Sequence, residues 1–176
     1  MGNNYLKTRL SQPEVIQRIT VDLKYGGNSK VYFNIKNVLG DPEIRNKLSD
    51  QLYKLFPENI TCVYGEGFGG RPLAEAISSR HFLKYTTLRK EKKGYGPETK
   101  WEYHKPTKED RVAIVDDVLS TGRSLKDSIK SLESITNISG CYVVVDREDV
   151  KKISEYSRDK ICGYPFGYLF KSRDLL

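Results

Sequence analysis

Apolar and amphipathic segments alternate along the chain, and this alternation predicts the fold class. Four segments are apolar on both faces of a strand: 60–65, 82–88, 111–118 and 140–146. Such strands are typical of a parallel sheet that is covered on both sides. Segments 70–80 and 124–135 lie between strands and carry apolar residues at helical spacing. The pattern predicts an α/β domain with a central, mainly parallel sheet flanked by helices.

The N-terminal part of the chain has shorter patterns. Ser-Gln-Pro-Glu at 11–14 resembles a capping box and predicts a short helix over 11–19. Two extended pieces are predicted next, joined by a turn at 26–28. A longer helix is predicted to begin at Asp41, because proline follows it and apolar residues recur at helical spacing over 44–55.

Two segments depart from the alternation. Residues 89–110 are polar and rich in lysine and glycine, and a connection of that length predicts a flexible, functional loop. The aromatic segment 163–170 is predicted to be either an edge strand or a contact between subunits, and the sequence leaves both open.

Composition narrows the class of protein. The 176 residues, 38% hydrophobic and 30% charged, suit one soluble domain. No apolar run approaches the roughly 18 residues of a membrane span, and the N-terminus lacks the apolar core of a secretory signal. The three cysteines, Cys62, Cys141 and Cys162, are widely spaced, and two lie in apolar strands. Buried free thiols and a cytoplasmic protein without a membrane partner are therefore expected.

The net charge of +7 favours a polyanionic partner, either a nucleic acid or a phosphorylated metabolite. Zinc-finger spacing, an RNA-binding aromatic signature and heptads are all missing from the sequence, so nucleic acid is the weaker alternative.

The segment "VAIVDDVLSTGRS", residues 112–124, carries the clearest chemistry. Ligands of open α/β sheets bind beyond the carboxyl ends of the strands, where Asp116 and Asp117 are predicted to lie. The hydroxyl and glycine residues of 120–124 lead into a helix, whose N-terminal N–H groups form an anion site. Carboxylates can accept hydrogen bonds from sugar hydroxyls or hold hydrated Mg²⁺. The segment therefore predicts a site for a phosphorylated sugar.

Two other segments gain a related interpretation only beside this one; taken alone, the first also fits a plain tight turn and the second a solvated run of charges. "YGEGFGGRPLA", residues 64–74, is a glycine-rich turn between strand and helix, which allows a second anion to approach the backbone. "LRKEKKGYG", residues 88–96, concentrates lysine and arginine ahead of a Gly-x-Gly hinge. Beside two anion sites, such a segment is typical of a lid that closes over phosphates.

These segments together resemble the type I phosphoribosyltransferases. "VAIVDDVLSTGRS" is similar to that family's signature for 5-phosphoribosyl-1-diphosphate (PRPP). Four further segments resemble orotate phosphoribosyltransferases, in family order: "LKYGGNSKVYFNIK", "GFGGRPLA", "RKEKKGYG" and "VVVDRED". The resemblance implies a type I phosphoribosyltransferase fold in a single domain, 1–176, with a small N-terminal hood over about 1–38 and a long flexible catalytic loop over about 89–110. It implies transfer of phosphoribose from PRPP to orotate, within UMP biosynthesis.

The resemblance also implies residue roles. Lys93, Asp116 and Asp117 would be catalytic, and the two aspartates would hold Mg²⁺ through water. The implied PRPP contacts are Gly67, Phe68, Gly69, Gly70, Arg89, Lys90, Lys93, Tyr95, Asp116, Asp117, Ser120, Thr121, Gly122, Arg123 and Ser124. The implied orotate contacts are Lys24, Phe33, Ser120 and Arg147. A homodimer is implied in which the loop lysine, Lys93, reaches the neighbouring subunit.

Arg147 also has a chemical argument of its own. A guanidinium binds a carboxylate bidentately, so Arg147 suits an anionic base better than adenine. The chain departs from the family at Tyr95, where a loop histidine is usual. His104 is a candidate substitute, whereas an exposed loop histidine is the alternative; His81 is expected to be structural.

Two rival functions remain open on the sequence. One is a phosphoribosyltransferase for another nucleobase, which depends on whether Arg147 faces the base pocket. The other is a PRPP-sensing regulator of the same fold that binds nucleic acid. A regulator of that kind is expected to lose the lysine loop and to gain a helix-turn-helix. The loop lysines are present here and no added domain is visible, so the enzyme is the favoured interpretation.

Overall fold

The computed structural model describes residues 2–22, 28–89 and 100–176. The helices are α1 (Gly2–Leu10), α2 (Pro42–Tyr53), α3 (Gly67–His81), α4 (Arg123–Leu132) and α5 (Ser172–Leu175), with a 3₁₀ helix at Ile35–Asn37. The strands are β1 (Ile16–Gln17), β2 (Val21–Asp22), β3 (Asn28–Ser29), β4 (Tyr32–Phe33), β5 (Cys62–Gly65), β6 (Lys84–Leu88), β7 (Trp101–Tyr103), β8 (Arg111–Leu119), β9 (Asn137–Asp146), β10 (Lys160–Ile161) and β11 (Tyr164–Lys171).

A seven-stranded sheet forms the centre of the molecule, in the order β10-β11-β9-β8-β5-β6-β7. The five inner strands pair in parallel, and the two outer strands, β10 and β7, are antiparallel to their neighbours. Gly65 stands opposite Val115, and Leu119 stands opposite Asp146. The carboxyl ends of β5, β8 and β9 therefore meet at one edge of the sheet. The predicted α/β architecture is confirmed.

Helix α2 shows how local sequence sets an element. Asp41 Oδ1 accepts hydrogen bonds from the backbone N–H of Glu43, at 2.9 Å, and of Ile44, at 3.4 Å, with proline at the first helical position. Such a cap stabilises a helix by about 1 kcal/mol. Ile44, Leu48 and Leu52 are fully buried. The predicted helix is confirmed from its cap to its buried face.

The helix predicted over 11–19 is wrong, because helix α1 precedes it. The Ser11 N–H donates to the Lys7 carbonyl at 3.0 Å, so Ser11 follows the last turn of α1 instead of capping a new helix. Ile16 then pairs with Phe33 in the antiparallel β1–β4 ribbon, and both side chains are buried. Tertiary pairing has overridden the local capping pattern.

The two extended pieces are confirmed in part: β2 pairs with β3, with Val21 opposite Ser29, but the second piece is divided between β3 and β4 and ends in the 3₁₀ helix at Ile35–Asn37. Of the predicted turn, only Asn28 is described, and it lies in β3. Apolar side chains of this N-terminal segment, including Leu6 and Leu10, share one buried cluster with α2 and α3.

The structure differs from the predicted 89–110 loop in its second half. Trp101–Tyr103 forms β7, which pairs with β6, and Trp101 is buried in the cluster that contains Tyr64. Residues 90–99 lie outside the described part of the chain. The aromatic segment 163–170 lies in β11, which pairs with both β9 and β10 and is therefore not at the edge of the sheet.

Cys62 and Cys141 are buried and free, as predicted, and Cys162 is half-buried. Burial raises the pKa of the Cys62 thiol to about 12, with a smaller contribution from Asp110. No helix in the described residues is both long enough and apolar enough to cross a lipid bilayer.

Candidate active site

A cleft of about 490 Å³ opens at the carboxyl ends of β5 and β8. It contains six of the residues predicted to contact PRPP: Gly67, Phe68, Gly69, Asp116, Asp117 and Ser124. Two segments that are distant in sequence therefore meet in space: the glycine-rich first turn of α3, called the glycine turn below, and the carboxyl end of β8. The sequence prediction that these segments form one site is consistent with this placement.

The glycine turn packs directly against the strand ends. A Cβ atom on Gly69 would lie 2.2 Å from the Asp117 carboxyl carbon, and one on Gly70 would lie 2.7 Å from the Val115 carbonyl oxygen. Gly67 has a φ of +69°, a conformation that glycine adopts without strain. The glycines are therefore needed for the turn to approach β8, as well as for any approach to an anion.

Asp116 and Asp117 are adjacent carboxylates at the end of β8, and each accepts a backbone hydrogen bond. The Asp117 N–H donates to Asp116 Oδ1 at 2.9 Å, and the Val118 N–H donates to Asp117 Oδ1 at 2.9 Å. Burial raises the pKa of Asp116 well above its usual value, and the neighbouring Asp117 charge raises it further. Burial likewise raises the pKa of Asp117.

This pair fits a hydrated divalent cation. A cation would offset the repulsion between the two carboxylates, and oxygen donors are the ligands that Mg²⁺ prefers. The described residues contain no group of three or more histidine, cysteine or acidic side chains able to enclose a metal. Two carboxylates alone suit an ion that keeps much of its water, or takes further oxygens from a ligand.

The predicted phosphate loop, Ser120 to Ser124, leads into α4. Gly122 stands at the helix N-cap with a φ of +91°, and the Thr121 hydroxyl lies 3.4 Å from the Arg123 N–H. First-turn N–H groups have no acceptor within their own helix and so are suited to an anion. The local geometry agrees with the predicted role of this loop.

Lys152 supports that loop from behind, and the sequence analysis missed it. Its ammonium donates to the Ser120 carbonyl at 2.8 Å, to the Leu119 carbonyl at 3.3 Å and to the Arg147 carbonyl. It also lies 3.1 Å from Asp146 Oδ1. Burial lowers the pKa of Lys152, against the effect of Asp146.

The next residue, Ile153, extends this support. Its backbone N–H donates to the Thr121 carbonyl at 2.9 Å. In the sequence, "VKK" at 150–152 has only the signal of an exposed charged turn.

Two of the predicted orotate contacts lie together. The Arg147 guanidinium carbon is 5.4 Å from the centre of the Phe33 ring, and Arg147 is 2% exposed. Its Nη2 donates to the Ser29 hydroxyl at 2.5 Å, and its Nε donates to Asp149 Oδ1 at 3.1 Å. Ser29 and Asp149 are further residues of this region that the sequence analysis missed. Ser120, a third predicted contact, is joined to Arg147 through Lys152.

Most of the residues predicted for the catalytic loop lie outside the described part of the chain: Lys90, Lys93 and Tyr95. Lys24 of the predicted hood also lies outside it. Arg89 is described, and its guanidinium pairs with Glu102 of β7.

The suggestion that His104 replaces the missing loop histidine is not supported. His104 Nε2 lies 2.6 Å from Asp110 Oδ2, and Asp110 precedes the first residue of β8, at the opposite end from Asp116. His81 is structural, as predicted: its ring stacks on Tyr53 at 3.7 Å and its Nε2 lies 3.1 Å from Asp50.

No family model matches the chain, but solved structures do. Orotate phosphoribosyltransferase from Aeropyrum pernix superposes with a TM-score of 0.75 and 26% identity, covering 100% of this chain and 96% of that one. The Mycobacterium tuberculosis H37Rv enzyme of that name, in complex with PRPP, superposes with a TM-score of 0.74 and 19% identity, covering 99% of each chain. The fold and the site thus define a phosphoribosyltransferase of type I.

Sequence comparison narrows the class. Orotate phosphoribosyltransferase from Methanothermobacter thermautotrophicus, strain Delta H, is 32% identical over 157 residues, which span 89% of this chain and 86% of that protein. The chain belongs to the orotate phosphoribosyltransferase family, whose members are pentosyltransferases of pyrimidine biosynthesis.

Proposed function

We propose that the chain transfers the 5-phosphoribosyl group of PRPP to orotate, giving orotidine 5′-phosphate and pyrophosphate. One observation carries the proposal: the Asp116–Asp117 pair, the glycine turn and the start of α4 line one cleft in a chain of this family. The Arg147–Phe33 pair, joined to Ser120 through Lys152, supplies the base side.

The PRPP side follows from the chemistry of the loops. The 5-phosphate binds the α4 N-terminus and the hydroxyls of Ser120, Thr121 and Ser124, where N–H groups and hydroxyls both donate. The diphosphate lies against the turn of Gly67 to Gly70. The ribose hydroxyls donate to the carboxylates of Asp116 and Asp117, which accept hydrogen bonds and repel phosphate.

Mg²⁺ fits the same carboxylates. Asp116 and Asp117 would hold it through water, and their mutual repulsion and raised pKa values favour such a cation. When bound, the ion neutralises charge on the departing diphosphate. The chain's own groups orient the sugar, and a cation bound beside the two carboxylates would favour their ionised forms.

The base side selects an anion. Arg147 is buried and presents a planar fork that matches a carboxylate. Phe33 lies beside it and supplies an apolar surface for a flat ring. Transfer at the anomeric carbon passes through an oxocarbenium-like state, whose barrier falls when cations meet the leaving diphosphate in a site closed to water. Arg89, Lys90 and Lys93 are the proposed loop cations.

The enzyme is proposed to act in the cytoplasm as a homodimer in which Lys93 serves the neighbouring subunit. Light scattering measures the mass of the protein in solution and so distinguishes a monomer from a dimer. Mixing tests the shared lysine: Lys93→Ala and Asp116→Asn are each inactive alone, and a mixed dimer regains activity if one intact site forms from two chains. A mixed dimer that stays inactive, or a monomer with full activity, contradicts the arrangement.

The reaction itself is tested by the fall in orotate ultraviolet absorbance after PRPP and Mg²⁺ are added. We expect turnover that needs all three components, and a loss of at least a hundredfold in Arg147→Ala. If the protein does not turn over orotate but does turn over uracil or a purine, the fold assignment stands and orotate is not the substrate. If the protein turns over none of the bases but still binds PRPP, the proposed enzymatic activity is wrong.

A further inference from the structure

The binding edge of Arg147 is already occupied by another carboxylate. Its Nε donates to Asp149 Oδ1 at 3.1 Å, and its Nη2 donates to Asp149 Oδ2. This is the two-point contact that a guanidinium makes with a substrate carboxylate. The same Nη2 also donates to the Ser29 hydroxyl of β3 at 2.5 Å. A bound orotate would therefore meet an edge of Arg147 that an internal acid fills.

The two partners differ sharply in exposure. The side chain of Arg147 is 2% exposed, whereas that of Asp149 is 40% exposed. A buried guanidinium without a counter-charge is costly, because it loses its hydration without compensation. Asp149 supplies that counter-charge from the solvent side, and its Oδ2 also accepts a long hydrogen bond, 3.4 Å, from the Ser29 hydroxyl.

We propose that Asp149 is a placeholder for the substrate's carboxylate and a specificity-determining residue of the base site. The orotate carboxylate displaces Asp149 from Arg147, and the Asp149 side chain turns into water. One carboxylate replaces another, so the charge beside Arg147 is the same before and after binding. This inference rests on the proposed function, in which Arg147 binds the base.

The exchange explains selection as well as binding. A base without a carboxylate cannot neutralise Arg147 and so leaves Asp149 on the edge of Arg147 that the base would need. An anionic base removes the obstacle. Specificity then arises from a competitor inside the protein as well as from the attraction of Arg147.

The neighbouring acid, Glu148, provides a matched control. Its carboxylate lies 2.8 Å from the Lys171 ammonium and 3.4 Å from the Arg173 guanidinium. Glu148→Gln therefore removes one negative charge at the adjacent position and leaves the fork of Arg147 untouched.

The test is the steady-state kinetics of wild type, Asp149→Asn and Glu148→Gln with orotate and with uracil. In Asp149→Asn we expect the KM for orotate to fall about threefold to tenfold, since a competing ion pair is gone. The KM for PRPP should stay within about twofold, as should every constant of Glu148→Gln. An unchanged or raised orotate KM in Asp149→Asn overturns the proposal and makes Asp149 a permanent support of Arg147.

A second measurement covers the case in which Asp149→Asn folds poorly. Thermal melting of each protein is recorded with and without orotate, at saturating PRPP in EDTA. A larger orotate-dependent rise in Tm for Asp149→Asn than for wild type supports displacement, and an equal or smaller rise opposes it. Wild type that does not consume orotate refutes the proposed function; wild type that does, with no gain in Asp149→Asn, refutes this inference alone.

Discussion

The Lys152 ammonium lies 2.8 Å from the carbonyl oxygen of Ser120, and this contact ties the phosphate loop to the segment that follows β9. The same ammonium contacts the carbonyl of Arg147. One buried cation therefore holds together the backbone of a predicted PRPP contact and that of a predicted orotate contact. Lys152 acts through these carbonyls and is a positioning residue of the site.

Lys152→Met should weaken PRPP binding. The substitution keeps the apolar part of the side chain but removes the hydrogen bonds to three carbonyls and the ion pair with Asp146. We expect the KM for PRPP to rise about tenfold and the unfolding free energy to fall by about 1–3 kcal/mol. Lys151→Met, at the exposed neighbour, is the control. Equal PRPP kinetics in the two variants would show that Lys152 does not position the loop.

Gly69→Ala should damage the site without unfolding the chain. Its Cβ would lie 2.2 Å from the carboxyl carbon of Asp117, so that side chain must move. We expect kcat/KM to fall at least tenfold, because the carboxylate pair is displaced. Gly40→Ala is the control, since a Cβ there meets nothing within 4 Å. Kinetics like those of wild type in Gly69→Ala would be evidence against this packing.

Asp116→Asn should be more stable than wild type and inactive. The change removes the charge of one of two carboxylates that repel each other, and burial already disfavours the charged form of Asp116. In EDTA at neutral pH, we expect about 1 kcal/mol of added stability by chemical denaturation, with turnover lost. The exposed Asp159→Asn should change neither. Lower stability in Asp116→Asn would mean that the acidic pair is not strained.

Asp110 should stabilise the opposite end of β8 in a pH-dependent way. Burial alone would raise the pKa of Asp110, but hydrogen bonds from His104, Lys84 and the Thr107 N–H lower it below its usual value. An acid with a lowered folded-state pKa stabilises the fold above its unfolded pKa, and this stabilisation is lost as the pH falls below that value.

Asp110→Asn is therefore expected to cost about 1–3 kcal/mol at pH 7 and progressively less below about pH 4. Denaturant titrations across this pH range measure the difference, with the exposed Asp159→Asn as control. Kinetic constants should be unchanged, because Asp110 precedes β8 and the cleft lies beyond its other end. A cost that does not change with pH would contradict the assigned ionisation.

Local patterns predicted most of the sheet and α2, because their signals lie within short stretches. Asp41 caps the helix it precedes, and apolar strands such as Val112–Val115 are buried as expected. The helix predicted at 11–19 is wrong because pairing with Phe33, a partner 17 residues away, stabilises Ile16 in a strand. The sequence did not settle whether Trp101–Tyr103 forms a strand, because its pairing with β6 joins residues on either side of a polar stretch.

The motifs predicted the loops of the site but not the residues that hold those loops and Arg147 in position. Asp116, Gly69 and Ser124 stood out because glycine and acidic residues at strand ends have recognisable chemistry. Lys152 and Asp149 had no such signal. Their roles depend on which carbonyls and which guanidinium edge the fold places beside them, and only the three-dimensional arrangement specifies that.

Pyrophosphate release, measured side by side with orotate, uracil and adenine at saturating PRPP and Mg²⁺, tests the central claim most directly. We expect one pyrophosphate for each orotate consumed, orotidine 5′-phosphate as the nucleotide by mass, and far less release with the other two bases. Arg147→Met should abolish the preference for orotate. Faster release with uracil or adenine than with orotate, in the wild-type protein, would contradict the account.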